Sequence, residues 1–327
     1  QTEGLSGLMA VKLSARMSAL AALVTPGVRL ADVGTDHGYI PVFLCQTGVI
    51  PSAIAMDINC GPLQRAEAHV AEFGLGDRIE TRLSDGLEKL LPGEADCVLI
   101  AGMGGGLIQR ILSEGETVLQ SVGELILQPQ SEIPQTRRFL REHGYQIAEE
   151  DMVEEDGKFY FLMKAHKQDR GEDASEKETA ESPEQFCAAD SGGNMADTDA
   201  DRRRLEDEFG PVLLRKKHPV LLRWVRREMR IVLMIRRKLW GAMYETEEGD
   251  LRFAVHEPGA DPEEAGCQTA SGAGNGTDTE ESSSGRMDKK QERLFERLAQ
   301  AEERWRLLAE ADRLLQGAPE KTGNQRS

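Results

Sequence analysis

Leu30-Ala31-Asp32-Val33-Gly34-Thr35-Asp36-His37-Gly38-Tyr39-Ile40-Pro41 is the stretch that decides the fold. An apolar run over residues 28–33 predicts a strand, glycines then punctuate a turn, and residues 39–45 have helical character. Pro41 fits only the first helical turn, where its missing N–H costs no hydrogen bond. Strand, tight turn and helix together bring backbone N–H groups up to a ligand. Asp36 stands where a dinucleotide-binding turn carries its second glycine, leaving Asp32-x-Gly34-x-Asp36-x-Gly38. A carboxylate at the strand end suits a ligand bearing an ammonium better than one bearing a pyrophosphate, because like charges repel. The competing reading is an ordinary strand–loop–helix connection in an α/β domain.

Working outward, residues 13–24 carry a helical apolar stripe with Ser14 as a cap. Further strands are expected at 52–57, 79–83, 96–100 and 125–127. Helices are expected at 62–72, at 107–121 with Gly115 as an interruption, and at 134–143 closed by Gly144. Strands this apolar, alternating with helices, predict a parallel sheet covered on both faces. Two more strands, 146–152 and 158–164, flank Asp156-Gly157, a hairpin signal. The expected fold is therefore α/β, with a seven-stranded, mostly parallel sheet. Its terminal antiparallel hairpin argues against a nicotinamide dehydrogenase.

The C-terminal half reads differently. From 167 to 204 the chain is expected to be an acidic, flexible linker. Structure is expected to resume at Leu205. Leu214, Leu221, Val225, Val232, Ile235 and Leu239 fit one heptad frame, with Glu228 as a polar intruder. Leu294, Leu298, Ala301, Trp305, Leu308 and Leu315 fit another, interrupted by Asp312. Together they predict an antiparallel coiled-coil hairpin over 205–316, with a low-complexity insertion at 244–287 in which Leu251–Val255 is a candidate ordered piece. The first domain is placed at 11–166.

Charge follows this division. The chain has 327 residues with 57 Asp plus Glu against 40 Lys plus Arg. Residues 169–201 carry a net −9 and 241–285 a net −10, so everything else sums to +2. Residues 202–240 alone reach +9, which is the local field a polyanion would meet. The five cysteines, at 45, 60, 97, 187 and 267, show no metal-ligand spacing and suit reduced thiols in a cytosol. No structural metal, membrane span or secretory signal is indicated, and a monomer or weak oligomer is expected in the cytoplasm.

The residues that carry chemistry lie at successive strand ends, where open parallel sheets bind ligands. Asp57 is placed to accept two hydrogen bonds from ribose hydroxyls. Asp85 is placed to accept from an adenine amino group, with Gly86 letting the backbone come close. With Asp32 these describe a nucleoside carrying a positive charge, a description that S-adenosylmethionine meets. Ala101-Gly102-Met103-Gly104-Gly105-Gly106 removes side chains where an acceptor must approach. Gln128 and Gln130 leave the fifth strand on the same face, placed either to read a base edge or to line the pocket with their amides. His37 shapes the loop, contacts substrate or only stacks.

Leu13-Ser-Ala-Arg16, Ala31-Asp-Val-Gly-Thr-Asp-His-Gly-Tyr-Ile-Pro41, Asp85-Gly-Leu87, Ala101-Gly-Met-Gly-Gly105 and Leu127-Gln-Pro129 together resemble the bacterial tRNA (adenine-22-N1)-methyltransferase family. Glu154-Glu-Asp-Gly-Lys158 and Phe209-Gly-Pro-Val-Leu-Leu214 strengthen the likeness. The resemblance implies a class I Rossmann-like methyltransferase domain followed by a coiled-coil hairpin, with S-adenosylmethionine as methyl donor and tRNA as partner. It implies Asp32, Gly34, Asp36, His37 and Gly38 around the methionine part of the cofactor, with Asp57, Asp85, Gly86 and Ala101 completing its site. Gly102, Met103 and Gly104, with Asp32, would serve the transfer. Arg16, Gln128 and Gln130 fall on the substrate side, and Arg215, Lys216, Lys217, Arg226, Arg227 and Arg230 are the expected phosphate contacts. The alternatives are a methyltransferase of another RNA, a protein or a small molecule, and a non-catalytic RNA-binding scaffold.

Overall fold

The computed structural model describes residues 11–168, 199–244 and 289–316. The expectations for the acidic segment beyond 168 and for the insertion, Leu251–Val255 included, lie outside those residues, apart from the helical stretch that begins at Asp199.

The first compact unit contains the described residues up to Arg226 together with 310–316. Its sheet has strands β1 (Leu30–Val33), β2 (Ala53–Asp57), β3 (Ile79–Leu83), β4 (Cys97–Met103), β5 (Glu124–Pro129), β6 (Tyr145–Glu155) and β7 (Lys158–Lys167). They are ordered β3-β2-β1-β4-β5-β7-β6. β3 to β5 run parallel, and β7 is antiparallel to both β5 and β6. Asp156 and Gly157 both take positive φ, 51° and 71°, which is the backbone a two-residue hairpin turn requires.

Alternation within the buried strands builds two cores. Leu30, Ala55, Leu99 and Ile126 face one side, while Ala31, Val33, Ile100 and Leu127 face the other. Helix α1 (Ala15–Leu23), capped by Ser14, buries Leu20, Ala21 and Leu23 in the first core. α2 (Tyr39–Gln46) begins after Gly38, whose φ is 68°, and takes Pro41 as its third residue. α3 (Cys60–Glu72) follows β2 and turns Leu63, Ala66 and Val70 inward.

Two expectations change in the middle of this unit. Residues 101–103 are the end of β4 rather than loop, and α4 (Gly105–Glu114) starts at once behind them. Gly115 breaks the expected 107–121 helix into α4 and a short α5 (Glu116–Leu119). α6 (Ile133–Glu142) follows β5.

The helical part resumes six residues earlier than expected, in α7 (Asp199–Phe209), followed by α8 (Pro211–Arg215). Both belong to the first unit, so the compact division falls after Arg226 and not at 166 or 205. The reason is a buried ion pair. Arg137 on α6 donates to Glu150 on β6 at 2.9 Å, both essentially without exposure. Glu150 also accepts from Val212 N–H at 2.9 Å, and Arg137 donates to the Asp207 carbonyl at 2.8 Å. Gly210, with φ of 91°, must lack a side chain, because a Cβ would stand 2.6 Å from the Glu150 carboxylate.

Two long helices complete the chain, α9 (Pro219–Tyr244) and α10 (Lys289–Gln316). In the first unit Arg226 pairs with Asp312 at 3.1 Å, which accounts for Asp312 in an otherwise apolar seam. The second unit, 227–309, pairs Arg236 with Glu302 at 3.6 Å and lays Arg236 over Trp305. These pairings make the helices antiparallel. Val232, Leu239, Leu298 and Leu308 are buried as the frame predicts, but Ile235 is exposed.

Candidate functional site

β1 has β2 on one side and β4 on the other, so the connections leave it in opposite directions. The cleft at the strand ends there is the place where a parallel sheet offers backbone and side chains to a ligand. A cavity of about 260 Å³ lies at this point. Asp32, Gly34, Thr35, Asp36 and His37 line it from the turn, Ala101 and Gly102 from the end of β4, and Gln130 from just beyond β5. α1 contributes Arg16, Met17 and Leu20, and α2 contributes Tyr39 and Ile40.

Asp32 is the electrostatic centre of this cavity. It is buried, and its Oδ2 accepts from the Thr35 hydroxyl at 2.6 Å. Burial pushes its carboxyl up to about 6, the Thr35 hydrogen bond pulls it down, and the negative Asp57 adds to the rise. A carboxylate desolvated in this way is stabilised by a cationic ligand.

Gly34 has φ of 76°, and a Cβ there would lie 2.3 Å from the terminal methyl of Met103. The Met103 side chain thus folds across the turn and takes the space that a side chain at position 34 would need. Gly38 sits against Ala66, where a Cβ would come within 3.3 Å, so α2 and α3 approach closely behind the turn. Asp36 holds a φ of 48° and pairs with Arg65 at 2.8 Å. His37 stacks on Tyr39 at 5.3 Å, and its carbonyl accepts from His69 Nδ1 at 2.9 Å. That leaves His37 a wall of the cavity.

Asp57 ends β2 largely buried, with Oδ1 accepting from Asn59 N–H at 2.8 Å. Asp85 lies half exposed after β3, 3.6 Å from Arg110 of α4. Gly86 has φ of 54° and packs closely, since a Cβ there would come 3.0 Å from Ile111.

The glycine run splits into two roles. Gly102, φ 78°, is exposed to the cavity, with only Gln130 and Arg16 atoms near the position of a Cβ, at 3.8 and 3.9 Å. Gly105 is a packing position, since a Cβ would fall 2.5 Å from the Ser131 carbonyl. Gly104 lies between them as the N-cap of α4, and Glu132 caps that helix by accepting from Gly106 N–H at 2.8 Å.

For Gln128 the structure opposes one of the two expected roles and agrees with the other, support of the pocket through Arg16 and Gly102. It is fully buried, so its amide does not present itself to a base edge. Its Oε1 accepts from Arg16 Nη1 at 3.0 Å and from Gly102 N–H at 3.2 Å, while its Nε2 donates to the Pro129 carbonyl. Of the expected phosphate contacts, Arg226 is engaged with Asp312, whereas Arg215, Lys216, Lys217 and Arg230 are exposed. Sequence reasoning missed Thr35, Met17, Leu20, Tyr39 and Ile40. A hydroxyl three residues after a strand-end acid was a signal for Thr35; the others read as ordinary helix packing.

Residues 13–163 match the methyltransferase-domain family. A Bacillus subtilis tRNA (adenine(22)-N(1))-methyltransferase is 39% identical over 160 residues, which is 49% of this chain and 67% of the relative. The chain belongs to the bacterial tRNA (adenine-22-N1)-methyltransferase family.

The crystal structure of the B. subtilis m1A22 tRNA methyltransferase superposes with a TM-score of 0.62 at 27% identity, covering 93% of this chain and all of that one. A Streptococcus pneumoniae member solved with S-adenosyl-L-methionine is 32% identical, covers 68% of this chain and 91% of its own, and gives 0.56. Family membership therefore extends to chains known with the methyl donor in place. No helix among the described residues is long and apolar enough to cross a membrane. No group of three or more metal-ligating side chains is assembled among them.

Proposed function

We propose that this chain transfers a methyl group from S-adenosylmethionine to N1 of adenine 22 in the D-arm of bacterial tRNA. The observation that carries the reading is the family match over the sheet and its strand-end turn, combined with a cavity centred on a buried carboxylate. The residues fit the cofactor. Asp32 offers negative charge in a desolvated setting, and Gly34, Asp36, His37, Ala101 and Gly102 line the same cavity.

When bound, S-adenosylmethionine supplies an electrophilic methyl carried on a sulfonium. Asp32 holds the ammonium of its methionine part, beside Gly34, Asp36, His37 and Gly38. Asp57 takes the ribose hydroxyls, and Asp85, with Gly86 and Ala101, stands on the adenine side. Gly102, Met103 and Gly104 border the acceptor base. Adenine N1 is a neutral nucleophile near pH 7, so no proton must leave before it attacks. The task of the chain is alignment, which holds nucleophile and methyl in line and keeps water out. Asp32, in the same cavity, would help to balance the positive charge that the base acquires on methylation.

The acceptor base has to leave its helix to reach the cavity, at a cost of a few kcal/mol supplied by contacts elsewhere. Gln130 lies at the cavity beside Gly102. Arg215, Lys216 and Lys217 in the first unit, and Arg227 and Arg230 in the second, supply phosphate contacts. The test is methylation of unmodified tRNA with mapping of the modified atom. Methyl incorporation at adenine N1, lost when adenine 22 is replaced, is the expected result. Incorporation that survives the replacement would redirect the reading to another RNA site, and cofactor binding without transfer would favour a scaffold.

A further inference from the structure

The cations of α9 fall into two groups. Arg223 pairs with Glu154 of β6, Arg226 with Asp312 of α10 and Arg236 with Glu302 of α10. Arg230, Arg237 and Lys238 are exposed and, among the described residues, have no carboxylate partner. Between them stands Met234, 63% exposed, four residues after Arg230 and three and four before Arg237 and Lys238. That spacing puts all four on one face of the helix. Ile235 beside it is also exposed, although it fits the apolar frame of the seam. A cationic helix face with an apolar centre complements a partner that is acidic around an apolar island.

A segment of that composition leaves the same helix. Residues 245–288 join α9 to α10 and hold twelve acids against two bases. Within residues 245–257, Leu251, Phe253 and Val255 fall at alternate positions among the acids Glu245, Glu247, Glu248, Asp250 and Glu257. Residues 258–288 contain no Leu, Ile, Val or aromatic residue, so the connection has a single apolar island. The reach suffices. Met234 lies about 15 Å back along α9 from Tyr244 at the helical rise. Residues 245–255 can span up to about 36 Å. Attachment at so short a distance sets an effective concentration of roughly millimolar at that face.

We propose that the outer face of α9 is the docking site of residues 245–257 of the same chain, which an RNA must displace before its phosphates reach Arg230, Arg237 and Lys238. The displacement rests on the reading of α9 as an RNA-binding face, whereas the docking itself needs no RNA. Acids of the segment meet the three unpaired cations, and its apolar island covers Met234 and Ile235. Selectivity is the consequence. A polyanion held by charge alone leaves the segment in place, and an RNA with further contacts elsewhere on the chain removes it.

The test measures binding of unmodified tRNA and of poly-uridylate by full-length variants across a salt series. Glu245→Gln, Glu247→Gln, Glu248→Gln and Asp250→Asn together should tighten poly-uridylate binding at low salt by about tenfold, the gain expected if the face is free in one molecule in ten, and tRNA binding by less. The gap to wild type should close as salt rises, because the internal ion pairs are screened too. Leu251→Ser with Phe253→Ser should move the same way with no change in charge. Asp278→Asn, Glu280→Gln and Glu281→Gln together, farther along the connection, should have little effect. An equal gain per charge removed at the two places would overturn the docking in favour of general repulsion. By calorimetry, a peptide of residues 245–257 should bind the four-acid variant and should fail to bind once Arg237→Gln and Lys238→Gln are added. A peptide that binds neither protein would overturn the proposal. A gap that grows with protein concentration would overturn it as well, by assigning the segment to a second copy. Peptide binding with no RNA bound by any variant would support the docking and strike the RNA reading instead.

Discussion

Asp32 concentrates the pH behaviour of the site. Its folded carboxyl titrates near 6 against an ordinary value of 3.8, so the folded state holds the proton more tightly than the unfolded chain does. The stability linked to that proton is fully present below about pH 4 and is lost as pH rises through about 6. Asp32→Asn should therefore stabilise the ligand-free protein at pH 7.5 by about 1–3 kcal/mol, with the gap to wild type closing toward pH 4 in a series of thermal melts. Cofactor affinity should run the other way, falling in wild type as pH drops below about 6 and being weak at every pH in Asp32→Asn. Single-turnover rates at saturating cofactor separate anchoring from assistance: an unchanged rate in Asp32→Asn would confine Asp32 to binding. Gly34→Ala tests the neighbouring contact. Positive φ should cost about 1 kcal/mol in denaturant melts. The displaced Met103 methyl should lower turnover further, and Met103→Ala in the same chain should restore part of it. Asp32 and Gly34 were legible because spacing at a strand end is a one-dimensional signal. Gln128 was not, because an amide beyond an apolar strand looks exposed until Arg16, 112 residues away, is seen to cover it.

At the scale of elements, the end of the sheet serves as a dock for α7 and α8. Glu150 on β6 receives Arg137 from one side and the α8 N–H groups from the other. Removing one partner leaves a charge buried alone, so Arg137→Met should destabilise the protein by about 3–5 kcal/mol. Gly210→Ala should be damaging too, because the new methyl would meet both Glu150 oxygens on a backbone that already disfavours L residues. Chemical denaturation reads both, and neither residue lines the cavity. Short apolar runs gave away the parallel strands, and Asp156-Gly157 gave away the hairpin. Two boundaries escaped these signals. Residues 101–103 look like a glycine loop, yet pairing with β5 keeps them in the sheet through a register shift. Residues 199–204 look like linker because their helix is charged on most faces and buries little before Leu205.

For the whole molecule, total charge misleads. The chain is −17 overall, but the 202–240 segment is strongly basic, and polyanions respond to local field. Arg227→Ala with Arg230→Ala should weaken tRNA binding and flatten its dependence on salt by roughly 0.7–0.9 per lost phosphate contact in a log–log plot. Cofactor affinity should not change. Equal tRNA binding by the double variant and wild type across the salt series would place the RNA elsewhere. Heptad spacing revealed the long helices of the arm and most of their buried seam. It did not reveal which cations face away from it, since Arg226 and Arg230 differ only in whether an acid such as Asp312 stands opposite.

The glycine run after β4 has a genetic consequence. Gly102 borders the cavity, while Gly105 is enclosed by Ser131, Glu132 and Thr136 three residues later. A saturation library over this run, scored once for soluble protein and once for methylated tRNA, should yield two disjoint classes. Changes at 105 would disappear from both screens, whereas changes at 102 would survive the first and fail the second. The boundary between folding and chemistry in this protein would then fall inside one short string of glycines.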